Sequence, residues 1–189
     1  MKFSKIMRRI IALILFIPHL VLFFFSKKKE DIIADLYSRS EKKPQQFSTI
    51  LSDLAVRLFN DRYFRTLYYF RESGIFAKFL RVFYPREKYF IIDINTQLGK
   101  GVHLAHPYST ILNAEIIGDN LYINHLVTVG EKNGKRPVIG NNVQLNAGCM
   151  VIGGVVIGDN VVVGAGAVVV KNIPANSVVV GNPARVIQK

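Results

Sequence analysis

At 189 residues the chain holds one main domain and an appendage, and 50% hydrophobic content supports a sizeable core and excludes disorder for most of it. The formal charge of +12 is uneven, with 18 Lys and Arg against 9 Asp and Glu in residues 1–97 and 7 against 4 in residues 98–189. A single cysteine, Cys149, excludes an intrachain disulfide and fits a reducing compartment.

Ile10 to Phe25 is a 16-residue apolar run interrupted only by Pro18 and His19, with Lys2, Lys5, Arg8 and Arg9 before it and Lys27, Lys28 and Lys29 after it. A straight helix of that length reaches about 24 Å, short of a hydrocarbon core of ~30 Å, and Pro18 invites a break. Basic residues on both sides give no clear orientation bias. The expectation is a membrane-associated segment over residues 1–29, a bent hairpin or oblique helix dipping into one leaflet with lysines at anionic head groups. Phe-Phe-Phe-Ser-Lys-Lys-Lys carries no small-x-small site for cleavage, and the run is short for a spanning anchor.

Residues 30–90 read as a helical region that packs on the C-terminal half of the chain. Phe47, Ile50, Leu51, Leu54 and Leu58 recur at three and four, Ser48 or Thr49 supplies a cap, Asn60-Asp61 and Gly74 punctuate, and Pro44 and Pro85 bound the region. Arg57, Arg62, Arg65, Arg71, Arg81 and Arg86 alternate with Tyr and Phe, a composition shared with nucleic-acid binders. No nucleic-acid module is recognisable, so the expectation is aromatics packed inward, arginines solvated or at phospholipid head groups, and no nucleic-acid partner.

From Ile92 to Val169 an aliphatic residue returns every six positions: Ile92, Leu98, Leu104, Ile111, Ile117, Ile123, Val129, Ile139, Leu145, Val151, Ile157, Val163 and Val169. Neither the strand period of two nor the helix period of 3.6 generates six, but three short strands wound as a triangular coil do. Four residues on comes a second inward position: Val102, Leu121, Val127, Val143, Cys149, Val155, Val161 and Ala167. Cys149 therefore reads as core rather than as a reactive thiol. Gly99, Gly118, Gly130, Gly140, Gly158 and Gly164, with Asn124 and Asn146, come after the aliphatic position as residues that tolerate φ > 0 at bends. One extra residue precedes Ile111, and four precede Ile139, where Glu131-Lys-Asn-Gly-Lys-Arg-Pro137 reads as a corner loop leaving the coil. The domains expected are thus residues 1–29, 30–90, a β-solenoid at 91–172 with loop 131–137, and a tail at 173–189.

In that register His106 and His125 each lie two residues after an inward one, a full coil apart, so they are expected to stack about 4.8 Å apart. The next two coils put Ala147 and Ala165 on the same row, leaving room for a slender ligand. His103 falls near a corner, and His19 reads as structural.

The hexads, Leu104-Ala-His-Pro-Tyr108, Gly164-Ala-Gly-Ala167, Lys171-Asn-Ile-Pro174 and Gly181-Asn-Pro-Ala-Arg185 resemble the hexapeptide-repeat acyltransferases, within them the serine acetyltransferase-like branch and its bacterial polysaccharide O-acetyltransferase relatives. The resemblance implies a mainly β fold, a left-handed parallel β-helix preceded by α-helices, assembled as a homotrimer and using acetyl-CoA without a metal. It implies His106 as the general base, and Ala147, Gly148, Ala165, Gly166, Lys171, Pro183 and Arg185 as CoA-binding residues. His125, Tyr108 and Asn124 are candidates for the acceptor site, with His125 alternatively a second imidazole or a packing residue. Serine acetyltransferases carry Asp before the histidine and an Arg-His-Pro element. Ala105 and Lys135-Arg136-Pro137 stand in those places here, which favours a glycan hydroxyl over serine. The reading is an acetyl-CoA-dependent O-acetyltransferase acting on a sugar of a polysaccharide or lipid-linked glycan precursor, at the cytoplasmic face of a bacterial inner membrane. Serine O-acetyltransferase and a non-catalytic hexapeptide scaffold are the alternatives.

Overall fold

The computed structural model describes residues 2–38, 40 and 46–188, so Pro44 lies outside the described residues. The chain divides into two compact units, residues 1–87 and 88–189.

The first unit is helical. The apolar run forms α1 (Lys2–Leu15) and α2 (Ile17–Phe25), bent by 64° at the break between them. Pro18 in the first turn of α2 explains the break, because its ring clashes with the carbonyl of residue 14 and it donates no hydrogen bond. Among the described residues no single helix is long and apolar enough to cross a membrane, and only this bent pair together has the length and composition to do so. Next come α3 (Lys29–Leu36), α4 (Phe47–Asn60), α5 (Arg62–Arg71) and α6 (Ile75–Phe83). Ser48 and Thr49 do not cap α4, whose first turn already includes them. The cap position is Gln46, with no side-chain bond. Asp61 does cap α5, accepting from the backbone N–H groups of Tyr63 and Phe64 at 2.9 and 3.0 Å.

Ala12, Phe16 and Phe23 pack with Leu54, Leu58, Leu67 and Leu80 in the core of this unit. His19 is buried there as a structural residue: its Nε2 lies 2.7 Å from the Tyr69 hydroxyl, and its carbonyl accepts from the Tyr68 hydroxyl at 2.8 Å. The Tyr69 hydroxyl also reaches the Tyr84 carbonyl at 3.2 Å, so the most satisfied arrangement has His19 Nε2–H donating to Tyr69 and Tyr69 donating to Tyr84. Burial, and then the charge of Arg65, lower the His19 pKa to about 4. The unfolded chain therefore binds this proton first as pH falls. The stability tied to neutral His19 is present above pH ~6.5 and is lost towards pH ~4, at most about 3 kcal/mol. His19→Gln should flatten the slope of a urea midpoint measured across that window.

Not all the arginines are at the surface as expected. Arg65 and Arg71 are buried. Arg71 grips Asp35 with two bonds, Nε to Oδ2 at 3.0 Å and Nη2 to Oδ1 at 3.3 Å, with side chains 3% and 1% exposed. The Asp35 carboxylate offsets the cost of taking the Arg71 guanidinium out of water.

The second unit is a parallel β-helix of five turns whose short strands stack into three sheets. Sheet A holds β1 (Phe90–Ile92), β4 (Thr110–Leu112), β7 (Thr128–Gly130), β10 (Met150–Ile152) and β13 (Val168–Val169). Sheet B holds β2 (Gln97–Leu98), β5 (Ile116–Ile117), β8 (Val138–Ile139) and β11 (Val156–Ile157), extended by a bridge from Ile157 to Ile173. Sheet C holds β3 (His103–Leu104), β6 (Tyr122–Ile123), β9 (Gln144–Leu145), β12 (Val162–Val163) and β14 (Val178–Val180), and ends in the antiparallel β15 (Arg185–Gln188). Each inward side chain sits on its counterpart one turn away, as in Ile117 on Ile139 and Ile123 on Leu145.

One hexad is misplaced by sequence. Ile111 is 43% exposed, while Thr110 and Leu112 on either side are buried. Leu112 pairs with Ile92 and Val129, so the insertion before β4 holds two residues and the corner after it is one shorter. The glycines also serve a different purpose from the one expected. None of Gly99, Gly118, Gly140 or Gly158 has positive φ; that conformation falls to Asn120, Asn142, Asn160 and Asn176, with φ of 55–59°. These asparagines form a ladder of amide bonds at 2.8–3.0 Å. Glycine is required because neighbouring turns touch: a Cβ on Gly118 would stand 2.7 Å from the Gly140 carbonyl carbon and 2.8 Å from the Asn141 nitrogen. Gly118→Ala should cost about 1–3 kcal/mol by thermal denaturation, the range for overpacking.

Candidate functional site

The three corners of the coil differ in chemistry. At the corner from sheet C to sheet A, each turn places a two-residue bend whose second member has positive φ: Ser109, Leu126, Gly148 and Gly166 at 51°, 58°, 69° and 67°. Backbone bonds fix the alignment: Leu126 N–H donates to the Tyr108 carbonyl, Gly148 N–H to that of His125 and Gly166 N–H to that of Ala147, at 2.8–2.9 Å. The row is therefore Tyr108, His125, Ala147, Ala165. This corrects the expected stacking, since Tyr108 rather than His106 aligns with His125. Leu104 does pair with Ile123, but His106 lies in the two-residue insertion just before Tyr108, so a count of two forward from Leu104 ends inside the insertion.

Both imidazoles are nevertheless exposed at this corner, on successive turns. His125 Nδ1 is 2.7 Å from the Asn124 side-chain oxygen, which also accepts the His125 backbone N–H at 2.9 Å. An amide oxygen only accepts, so Nδ1 is the donor of this bond, and in the neutral ring that leaves the lone pair on Nε2. The Asn124 side chain is thus an orienting group for His125, a role its spacing in sequence does not reveal. His106 has no side-chain bond among the described residues, and its carbonyl accepts Tyr108 N–H at 2.7 Å. The Tyr108 ring lies 5.7 Å from that of Tyr89, and both are more than half exposed. Tyr89, which precedes the first hexad, was missed by sequence reasoning. His103 instead stacks on Tyr122 at 4.9 Å.

Past the histidines the same edge continues through Ala147-Gly148 and Ala165-Gly166 to the turn containing Pro183. That turn is held beside the edge by Val168 N–H to the Gly181 carbonyl at 3.0 Å and Ala184 N–H to the Val168 carbonyl at 2.8 Å. A Cβ added at Gly166 would meet nothing within 4 Å, so the edge is open to a ligand. Cys149, beneath it, is fully buried, and burial pushes its thiol up to about 12, the behaviour of a packing residue.

Lys171 is exposed at the next corner, from sheet A to sheet B, one strand away from the alanine edge, while Arg185 opens β15. Loop 131–137 is at the Lys171 corner too. It forms a small hairpin in which Lys132 pairs with Lys135, and it lies over Gly153 and Gly154, where a Cβ would be 3.2 Å from Lys132 Cβ and 2.8 Å from Lys135 Cβ. Arg136 reaches Asp93 at 3.8 Å. In one chain, then, the loop and Lys171 share a corner, and the histidines and alanines share another.

The bacterial transferase hexapeptide (six repeats) family matches residues 136–171. The six-residue repeat, the rung order and the three-sheet coil give this chain a hexapeptide-repeat parallel β-helix, a fold it shares with solved serine acetyltransferases. Its likeness extends to particular proteins. Serine acetyltransferase 1 of Arabidopsis thaliana chloroplasts is 41% identical over 105 residues, 52% of this chain and 33% of the relative. The putative colanic acid biosynthesis acetyltransferase WcaB of Escherichia coli K12 is 39% identical over 99 residues, 50% of this chain and 61% of the relative. The crystal structure of Neisseria gonorrhoeae serine acetyltransferase superposes with a TM-score of 0.67 at 28% identity, covering 85% of this chain and 65% of that one. The chain thus spans a third of the length of the Arabidopsis relative and under two thirds of the Escherichia one.

Proposed function

We propose that the protein is an O-acetyltransferase that moves an acetyl group from acetyl-CoA to a sugar hydroxyl of a polysaccharide or lipid-linked glycan precursor. The observation that carries this reading is the single edge on which two exposed imidazoles lead into two pairs of small residues. Ala147, Gly148, Ala165, Gly166 and Pro183 would hold the pantetheine arm, and Lys171 and Arg185 the phosphates by charge-assisted bonds. The separation of Lys171 from the alanine edge supports a homotrimer, in which one copy supplies the edge and its neighbour supplies Lys171.

His106, next to Pro107 in the motif that carries the resemblance, takes the proton of the acceptor hydroxyl. As it does so the oxygen bonds to the thioester carbonyl carbon, the C–S bond breaks, and the proton passes through the imidazole to the departing sulfur. A second reading gives this proton to His125, whose Nε2 lone pair is aimed by Asn124. No side chain orients the His106 ring among the described residues.

The acceptor class rests on Ala105, where the resembled serine enzymes have Asp, and on the exposed Tyr89–Tyr108 pair beside His106. Tyrosine faces offer apolar area with a polar tip, which suits a sugar ring better than a small amino acid. A lipid-linked acceptor also gives the bent apolar run of α1 and α2 a purpose at the cytoplasmic face of the membrane. Thiol release from acetyl-CoA should be fast with a membrane glycolipid extract and at background with serine. Release with serine alone would make the chain a serine acetyltransferase, and release with neither would leave a scaffold.

A further inference from the structure

We infer that α6 is a second lipid-contacting element, lying on an anionic membrane surface through its outward face. The helix is apolar on two sides. Ala77 and Leu80 are buried in the helical unit, at 0% and 4% exposure, and Tyr84 beyond them is tied back to α1 by a hydroxyl bond to the Leu15 carbonyl at 2.7 Å. At 100° per residue the opposite side holds Ile75, Phe76, Phe79, Val82 and Phe83. Every one of them is exposed, Ile75 at 88% and Val82 at 75%. Five large apolar side chains on one nine-residue helix exceed the scatter of single exposed residues that a soluble surface carries.

Charge decides what covers the face. Residues 1–87 hold 17 Lys and Arg against 8 Asp and Glu, and Lys78, Arg86 and Lys88 lie on or just beyond α6 at exposed positions. A second copy offering the same face would bring the same positive surface against it. A bilayer with anionic head groups meets the cations with phosphates and the phenylalanines with acyl chains. Arg81 does not join the lipid: its Nη2 donates to the Tyr69 carbonyl at 2.8 Å and its guanidinium lies 5.3 Å from the Tyr69 ring, which anchors the inner side of α6 to the helical unit. Single apolar anchors bind membranes marginally and reversibly, whereas two give stable attachment, so α6 complements the α1–α2 run. The inference shares the membrane location given under the proposed function but needs neither the acyl-transfer chemistry nor insertion of residues 10–25.

The chain contains no tryptophan, so Phe79→Trp places a lone fluorophore on this face of the full-length protein. With phosphatidylglycerol-containing vesicles its emission should shift to the blue and be quenched by brominated acyl chains, and pure phosphatidylcholine should give a much smaller change. Phe79→Glu combined with Val82→Glu should weaken vesicle cosedimentation by at least about tenfold while leaving the circular dichroism spectrum unchanged. Cosedimentation with no emission change would overturn the inference and leave membrane binding to α1 and α2. A blue shift that tracks protein concentration in the absence of lipid would overturn it in favour of a second copy.

Discussion

His106→Ala should lower the rate of acetyl transfer by about 10²–10⁴-fold, the range for loss of a positioned general base, with the melting temperature unchanged. Stability should hold because His106 is exposed and its side chain bonds to nothing among the described residues, so truncation leaves no cavity and no orphaned partner. His125→Ala is the necessary companion. Its imidazole is held by Asn124 at 2.7 Å and sits directly before the alanine edge. If His106 is the base, His125→Ala should raise the acceptor KM more than it lowers kcat. A loss of kcat confined to His125→Ala, and matched by Asn124→Ala, would transfer the role to the oriented imidazole. Asn124 then acts as a positioning residue, and its substitution should alter the pH profile of kcat as well as its height.

Asp35→Ala should destabilise the helical unit by about 3–5 kcal/mol, because it removes the carboxylate that faces the buried Arg71 guanidinium. The pair is almost wholly removed from water and doubly bonded, so solvent cannot replace the lost carboxylate. Joint replacement, Asp35→Leu with Arg71→Met, removes both charges and should recover most of the loss. Chemical denaturation of both variants checks this. A double variant no more stable than the single one would mean that other bonds of the arginine matter more than its charge. Since α3 and α5 meet through this pair, local protection of both helices from hydrogen exchange should fall together in the single variant.

The coil was legible because its inward residues obey one short period over five turns, and a period is visible without tertiary knowledge. Its errors came from places where the period slips. Counting aliphatics put Ile111 inside, whereas Leu112 is the residue in register with the inward Ile92 and Val129 of the adjacent turns. Where the inserted residues sit is equally invisible to the period: they follow Ala105, which takes His106 off the row and puts Tyr108 on it. Glycine at Gly118 was correctly marked as a corner but given the wrong cause, since close approach between turns leaves no trace in a single strand's sequence. The burial of Arg71 was hidden because its partner is 36 positions away, and Tyr89 was hidden because it precedes the repeat. The bend near Pro18 was legible from the proline alone.

The fate of the acetyl group separates the glycan acceptor from serine in a single reaction. Acetyl-labelled acetyl-CoA is incubated with the purified protein, glycolipid extract and excess serine together, and the labelled product is isolated. The expected product is an alkali-labile acetyl ester on the glycan, absent with His106→Ala. Label recovered as O-acetylserine would refute the glycan acceptor, and an ester formed equally well by His106→Ala would refute the assigned base.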